Sequence, residues 1–157
     1  MPAASVNSGA DSPLEAHLGY WLRVVSNRVS SSFARALQER GLSVAEWVAL
    51  NELSVQAEPT PASLSDAMGM TRGAITKVLD KLAAKNWVKR TASTNDKRMQ
   101  RLALTRTGKS ILPVLTGIAD TNDHFFFDAL APAEQAQLRG LLQKLAQIHQ
   151  IRDVAID

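Results

Sequence analysis

Leu64-Ser65-Asp66-Ala67-Met68-Gly69-Met70-Thr71-Arg72-Gly73-Ala74-Ile75-Thr76-Lys77-Val78-Leu79-Asp80-Lys81-Leu82 is the stretch that decides the fold. Leu64, Ala67 and Met68 supply the buried face of a short helix, with Thr60 as its cap and Pro61 at its first position. Gly69-Met70 turns the chain. Thr71 caps again, and Ile75, Val78, Leu79 and Leu82 recur at i, i+3, i+4 and i+7, the stripe of a second helix. Two helices meeting at a short glycine-containing turn make a helix-turn-helix.

Downstream the period changes. Trp87-Val88 opens one extended segment and Leu102-Ala103-Leu104 closes another, with a turn-rich stretch at residues 93–96 between them, which predicts a β-hairpin, or wing. Residues 59–110, which hold both the helix pair and the wing, carry 11 of the chain's 18 Lys and Arg but three of its 15 acids. That segment is +8 in a chain whose formal total is +3, so the flanks sum to −5. A basic module on an acidic scaffold attracts a polyanion.

The flanks read as helices. Leu14, Leu18, Trp21, Leu22, Val25, Val29, Phe33 and Leu37 form the stripe of one long helix, ended by Gly41 at its C′ position. Ser43 and Glu46 stand at capping-box spacing, with Leu42 and Trp47 placed for a hydrophobic staple, and predict a helix to about Leu53. Thr105 caps a fifth helix through Leu115 and the aromatic run Phe125-Phe126-Phe127, with a bend expected at Pro113. A last helix begins near Pro132 and carries Leu138, Leu141, Leu142, Leu145 and Ile148. These end helices hold more apolar surface than a small winged domain needs, and dimerisation is the economical explanation.

The expected class is mainly α, an α+β winged helix-turn-helix. Residues 1–12 are a disordered tail and 13–157 a single domain, in which 13–40 and 106–157 are dimerisation helices and 42–105 the DNA-binding lobe. The opening residues lack the basic start and apolar run of a secretion signal. No stretch approaches the roughly 20 apolar residues of a membrane span, so no membrane partner and a cytoplasmic location are expected. With no cysteine, disulfides, thiolate metal sites and a thiol redox switch are excluded. Scattered histidines, no glycine-rich phosphate loop and no serine in a nucleophile elbow argue against an enzyme, and no cofactor is expected.

The stretch from Leu64 to Leu82, the Trp87-Val88-Lys89-Arg90 that follows it, Asp96-Lys97-Arg98 and Leu104-Thr105-Arg106-Thr107-Gly108 together resemble the MarR family of bacterial transcription regulators, over roughly residues 14–150. Asp-x-Arg followed by Leu-Thr-x-x-Gly, downstream of a helix-turn-helix, is the specific part. The resemblance implies a homodimer whose terminal helices pair and whose two winged lobes straddle a pseudo-palindromic operator in double-stranded DNA. Repression outranks activation on the same ground. Ala131 departs from the Ser or Thr that often caps the last helix, and the missing cysteine excludes the peroxide-sensing branch.

A recognition helix meets base edges with its N-terminal part, which here presents Thr71, Arg72, Gly73, Thr76 and Lys77. Arg72 can pair bidentately with guanine, Thr76 can hydrogen-bond or offer its methyl to thymine, and Gly73 lets the backbone come close. Arg98 at the wing tip suits a narrow minor groove. Asp96 holds it there, as the resemblance also implies, or simply forms the turn. Ser63, Lys89, Arg90 and Lys97 are candidates for phosphate contacts.

The resemblance further implies a small effector, often an aromatic or phenolic acid, in a crevice between the dimer helices and the lobe. Candidate walls are Tyr20, Trp21 and Trp47, with His17, Arg23 or Arg28 facing an anion; core packing is the competing reading of the tryptophans. Asp120, His124 and Asp128 lie four apart on one helix face, a spacing that suits a divalent metal and equally an ordinary wet surface, and no metal is assigned. The competing function is a winged-helix protein-interaction or non-specific DNA-binding module without an effector, which has no need of arginine at the wing tip.

Overall fold

The computed structural model describes residues 12–92, 99–152, 154 and 156. Its elements are α1 (Leu18–Gln38), α2 (Val44–Val55), α3 (Pro61–Met68), α4 (Arg72–Ala84), β1 (Val88–Ala92), β2 (Gln100–Leu104), α5 (Arg106–Phe127) and α6 (Pro132–Ile148). The winged helix-turn-helix read from the sequence is the fold that forms. The tail expected at residues 1–12 falls, but for Ser12, outside the described residues.

Helix starts follow the capping side chains, because the first turn of a helix leaves N–H groups without partners. The Ser43 hydroxyl accepts from the Glu46 N–H at 3.1 Å while the Glu46 carboxylate accepts from the Ser43 N–H at 3.2 Å. Thr60 and Ser63 reciprocate in the same way at 3.0 and 2.9 Å. Thr71 and Thr105 each accept from the N–H three residues on, at 3.1 and 2.9 Å. Ala131 has no oxygen to offer. Pro132 opens α6 instead, and the Glu134 carboxylate takes the Ala131 N–H at 2.8 Å.

The long first helix is shorter than its apolar stripe. Residues 13–16 form a turn, and α1 begins at Leu18, leaving Leu14 outside it. Local bonds hold that turn: the Ser12 carbonyl accepts from the Glu15 N–H at 2.8 Å, and the Trp21 indole donates to the Glu15 carbonyl at 2.9 Å. Gly41 ends α1 as expected. At φ +74° it lets the Leu42 N–H reach the Leu37 carbonyl at 3.1 Å, and both leucines are buried beneath the bond. Asn86 does the same for α4 at φ +59°, with the Trp87 N–H on the Leu82 carbonyl at 3.0 Å.

The core lies where α2, α3 and α4 meet. Leu50 of α2, Leu64 and Met68 of α3, and Ile75, Leu79 and Leu82 of α4 are all essentially inaccessible to water. Val88 and Leu102 attach the hairpin to this cluster, and Leu37 and Leu115 attach α1 and α5. The strands pair antiparallel from Val88↔Leu104 to Ala92↔Gln100. The Leu102 N–H also donates to the Pro59 carbonyl at 2.9 Å, which fastens the wing to the loop before α3. Gly108 has a steric reason: a Cβ there would lie 2.0 Å from the Trp87 carbonyl oxygen. Only glycine lets α5 start against the Trp87 backbone, just before β1.

The outer helices are less complete. α1 packs along α5, but α6 buries none of its residues within one chain. Leu141, Leu142, Leu145 and Ile148 of α6, Leu18, Leu22 and Val25 of α1 and Phe125 of α5 are exposed, Phe125 by 80%. Among the described residues, no helix is long and apolar enough to cross a membrane.

Candidate nucleic-acid interface

Burying Ile75, Val78, Leu79 and Leu82 turns the opposite face of α4 outward. Arg72, Gly73, Thr76 and Lys77 are all exposed in its first turns. A Cβ at Gly73 would meet nothing within 4 Å, so packing does not require glycine at that position. The hydroxyls are largely committed. Thr71 spends an acceptor on its cap, and the Thr76 hydroxyl donates back to the Arg72 carbonyl at 2.9 Å. Hydrogen-bond donors on this face therefore come from Arg72, Lys77 and the Thr71 O–H, which the cap leaves free, and donors suit the acceptor-rich edge of guanine. An open groove beside the helix is lined by Thr60, Pro61, Arg72, Thr76, Met99 and Gln100, so the helix and the base of the wing share one surface.

The candidate phosphate contacts divide. Lys89 is exposed on β1. Ser63 is half-buried, and its hydroxyl accepts from the Thr60 N–H at 2.9 Å and lies 2.6 Å from Gln56 Oε1, to which it donates. Arg90 is also half-buried, with a terminal nitrogen 2.5 Å from the Asp80 carboxylate of α4. Asp96, Lys97 and Arg98 lie outside the described residues.

A second feature lies behind the lobe. α1, α2 and α5 enclose a crevice of about 300 Å³ lined by Val29, Ser30, Phe33, Val44, Trp47, Ala119, Asn122 and Asp123. Trp47 stacks edge-on against Phe33 at 4.9 Å, and its indole N–H is buried with no hydrogen-bond partner among the described residues. Beside it Glu46, only 2% exposed, receives Lys85 of α4 at 3.0 Å, and that ammonium also lies 5.6 Å from the centre of the Trp87 ring. The wall of the crevice is thus tied to the C-terminal end of α4.

The structure does not bring the expected ligand-binding set together. Trp47 lines the crevice, whereas Tyr20 and Trp21 pack on one another 5.5 Å apart near the start of α1. Twelve residues separate Trp21 from Phe33, roughly 18 Å along a helix. His17 and Trp21 turn back onto the Pro13 and Glu15 carbonyls, and Arg23 and Arg28 are exposed. Sequence reading missed Asn122, which interrupts the apolar stripe of α5, is buried, and donates to the Val29 carbonyl at 3.2 Å. A polar residue at an apolar position was the available signal.

Among the described residues no group of three or more His, Asp or Glu side chains is placed to hold an ion. His124 instead pairs with Asp128 at 3.1 Å. The hydrogen bond and charge of Asp128 raise its pKa from the usual 6.5, with smaller help from Asp120 and Asp123.

The family model for MarR matches residues 42–99, the lobe just described. The transcriptional repressor MprA of Escherichia coli is 31% identical over 122 residues, covering 74% of this chain and 69% of that protein. The chain belongs to the MarR family. A mutant of E. coli MarR crystallised with operator DNA superposes with a TM-score of 0.69 at 27% identity, over 82% of this chain and 92% of that one. CouR from Rhodococcus jostii, bound to p-coumaroyl-CoA, superposes with a TM-score of 0.69 at 25% identity, over 85% of this chain and 94% of that one. As a MarR-family winged-helix protein, the chain is a DNA-binding transcription regulator and not an enzyme.

Proposed function

We propose that the protein is a cytoplasmic homodimeric repressor of nearby genes, released from a pseudo-palindromic operator by a small aromatic or phenolic acid. The observation that carries the DNA-binding side is the outward N-terminal face of α4, where Arg72, Thr76 and Lys77 surround the bare backbone of Gly73. In this reading Arg72 pairs with guanine, Thr76 meets a thymine methyl, Lys77 and Lys89 hold phosphates, and Arg98, braced by Asp96 beside Lys97, enters the minor groove. Ser63 and Thr71 serve the interface by capping the helices that present it. The exposed apolar side chains of α1, α5 and α6 support pairing with a second copy, which would remove them from water. MprA, named a transcriptional repressor, supports the sign of regulation.

The effector site in this reading is the α1–α2–α5 crevice. Its walls are mainly apolar, with Ser30, Asn122 and Asp123 the polar members, and the Trp47 N–H, which has no partner among the described residues, is a donor that an oxygen of the ligand would accept from. CouR, bound to a hydroxycinnamoyl thioester, supports the ligand class. A ligand need favour the DNA-misfitting lobe spacing by only about 1–3 kcal/mol to act as an inducer. Titrating hydroxybenzoates and hydroxycinnamates against a preformed protein–DNA complex tests this. Release by at least one acid, weakened by Trp47→Phe, is expected; retention of DNA at saturating levels of every acid would remove the effector from the proposal.

A further inference from the structure

The stripe that carries Arg72 and Thr76 up α4 continues, four residues on, to Asp80. Its carboxylate is exposed on the side of the helix that bears the candidate base readers. An unpaired acid there would meet a polyphosphate surface and oppose binding. It is not unpaired: the Arg90 guanidinium reaches across from β1 and lies 2.5 Å from Asp80 Oδ1. Arg90 is poorly placed for a phosphate of its own. Its side chain is 27% exposed, its Nε is buried with no partner among the described residues, and one terminal nitrogen is already on Asp80.

We infer that Arg90 is a positioning residue and not a phosphate contact: it acts through Asp80, holding that carboxylate in an ion pair so that the recognition stripe of α4 presents no free negative charge to DNA. The sole acid of α4 thus carries its counter-charge with it, in a charge-assisted pair that bridges α4 and β1. The inference rests on the DNA-binding role of the family but not on the proposed effector or operator.

The two roles of Arg90 differ in whether a second change can restore binding. A mixed-sequence duplex of roughly 30 bp, long enough for two half-sites one helical turn apart, serves as the probe. Affinity and its salt dependence are measured for the wild type, Arg90→Met, Asp80→Asn and the double variant, with thermal melting as a check on folding. Arg90→Met is expected to weaken binding about tenfold, because it leaves a bare carboxylate facing phosphate. Asp80→Asn is expected to bind as well as the wild type or better. The double variant should return to within about threefold of the wild type with an unchanged salt slope. A double variant as weak as Arg90→Met, with a slope lowered by about 1, would make Arg90 a phosphate contact and overturn the inference. If Arg90→Met fails to fold, Arg90→Gln with and without Asp80→Asn gives the same contrast. A wild type that binds no duplex at low salt would instead contradict the DNA-binding role itself.

Discussion

Thr76 shows how far a single residue can be read. Its position on the recognition helix was legible from the sequence, but whether it offers a hydroxyl or a methyl was not, because that depends on a rotamer. In the structure the hydroxyl is turned back onto the Arg72 carbonyl. We therefore expect Thr76→Val to keep operator affinity within about threefold and Thr76→Ser, which removes the methyl, to lose preference for thymine at one position of each half-site. Selection of binding sites from a random duplex pool compares the two; the reverse pattern would mean that the hydroxyl swings out to the base. His124 gives a separate, pH-dependent expectation. Asp128 raises the pKa of His124 in the folded state, so the pair stabilises the fold at pH values below the ordinary histidine range, and that contribution fades as pH rises through the raised folded value. Urea midpoints of the wild type and His124→Gln should differ more at about pH 5.5 than at about pH 8.5, by a small margin because the pair is exposed.

At the scale of elements, the capping and turn chemistry carried most of the fold. Ser43, Thr60, Thr71 and Thr105 each start a helix where their side chains can accept an N–H, and Gly41 ends one where its φ is positive. The apolar stripe was less reliable at its upstream end, since periodicity alone cannot see that Ser12 and Glu15 close a turn around Leu14. Gly108 was visible only as part of a motif; its reason is tertiary, the carbonyl of Trp87 lying where a side chain would begin. Gly108→Ala should cost about 3 kcal/mol by overpacking and lower the melting temperature, while shifting the base of the wing. Gly73→Ala is the counterpart. Its Cβ would meet open space, so helix propensity should raise stability by about 0.5 kcal/mol, yet DNA affinity should fall if bases approach the backbone there. Gain in both would remove Gly73 from the interface.

For the whole molecule, the charge split and the surplus of apolar residues on the end helices were legible in the sequence because both are matters of composition and period. The ligand crevice was not. Its walls come from three helices far apart in the chain, and of the candidate ligand-binding residues only Trp47 lines it. The exposed leucines of α6 make a molecular expectation: Leu142→Glu together with Leu145→Glu should turn a dimer into a monomer in sedimentation, and weaken operator binding by removing the second half-site. An unchanged sedimentation coefficient would place the dimer contact elsewhere. The most direct measurement is selection of the source organism's genomic fragments by the purified protein, at a fixed salt near 150 mM because phosphate attraction alone can imitate affinity. A dimeric regulator should enrich a two-fold symmetric site with half-sites about one helical turn apart. Uniform, weak enrichment of all fragments would contradict sequence-specific recognition by α4.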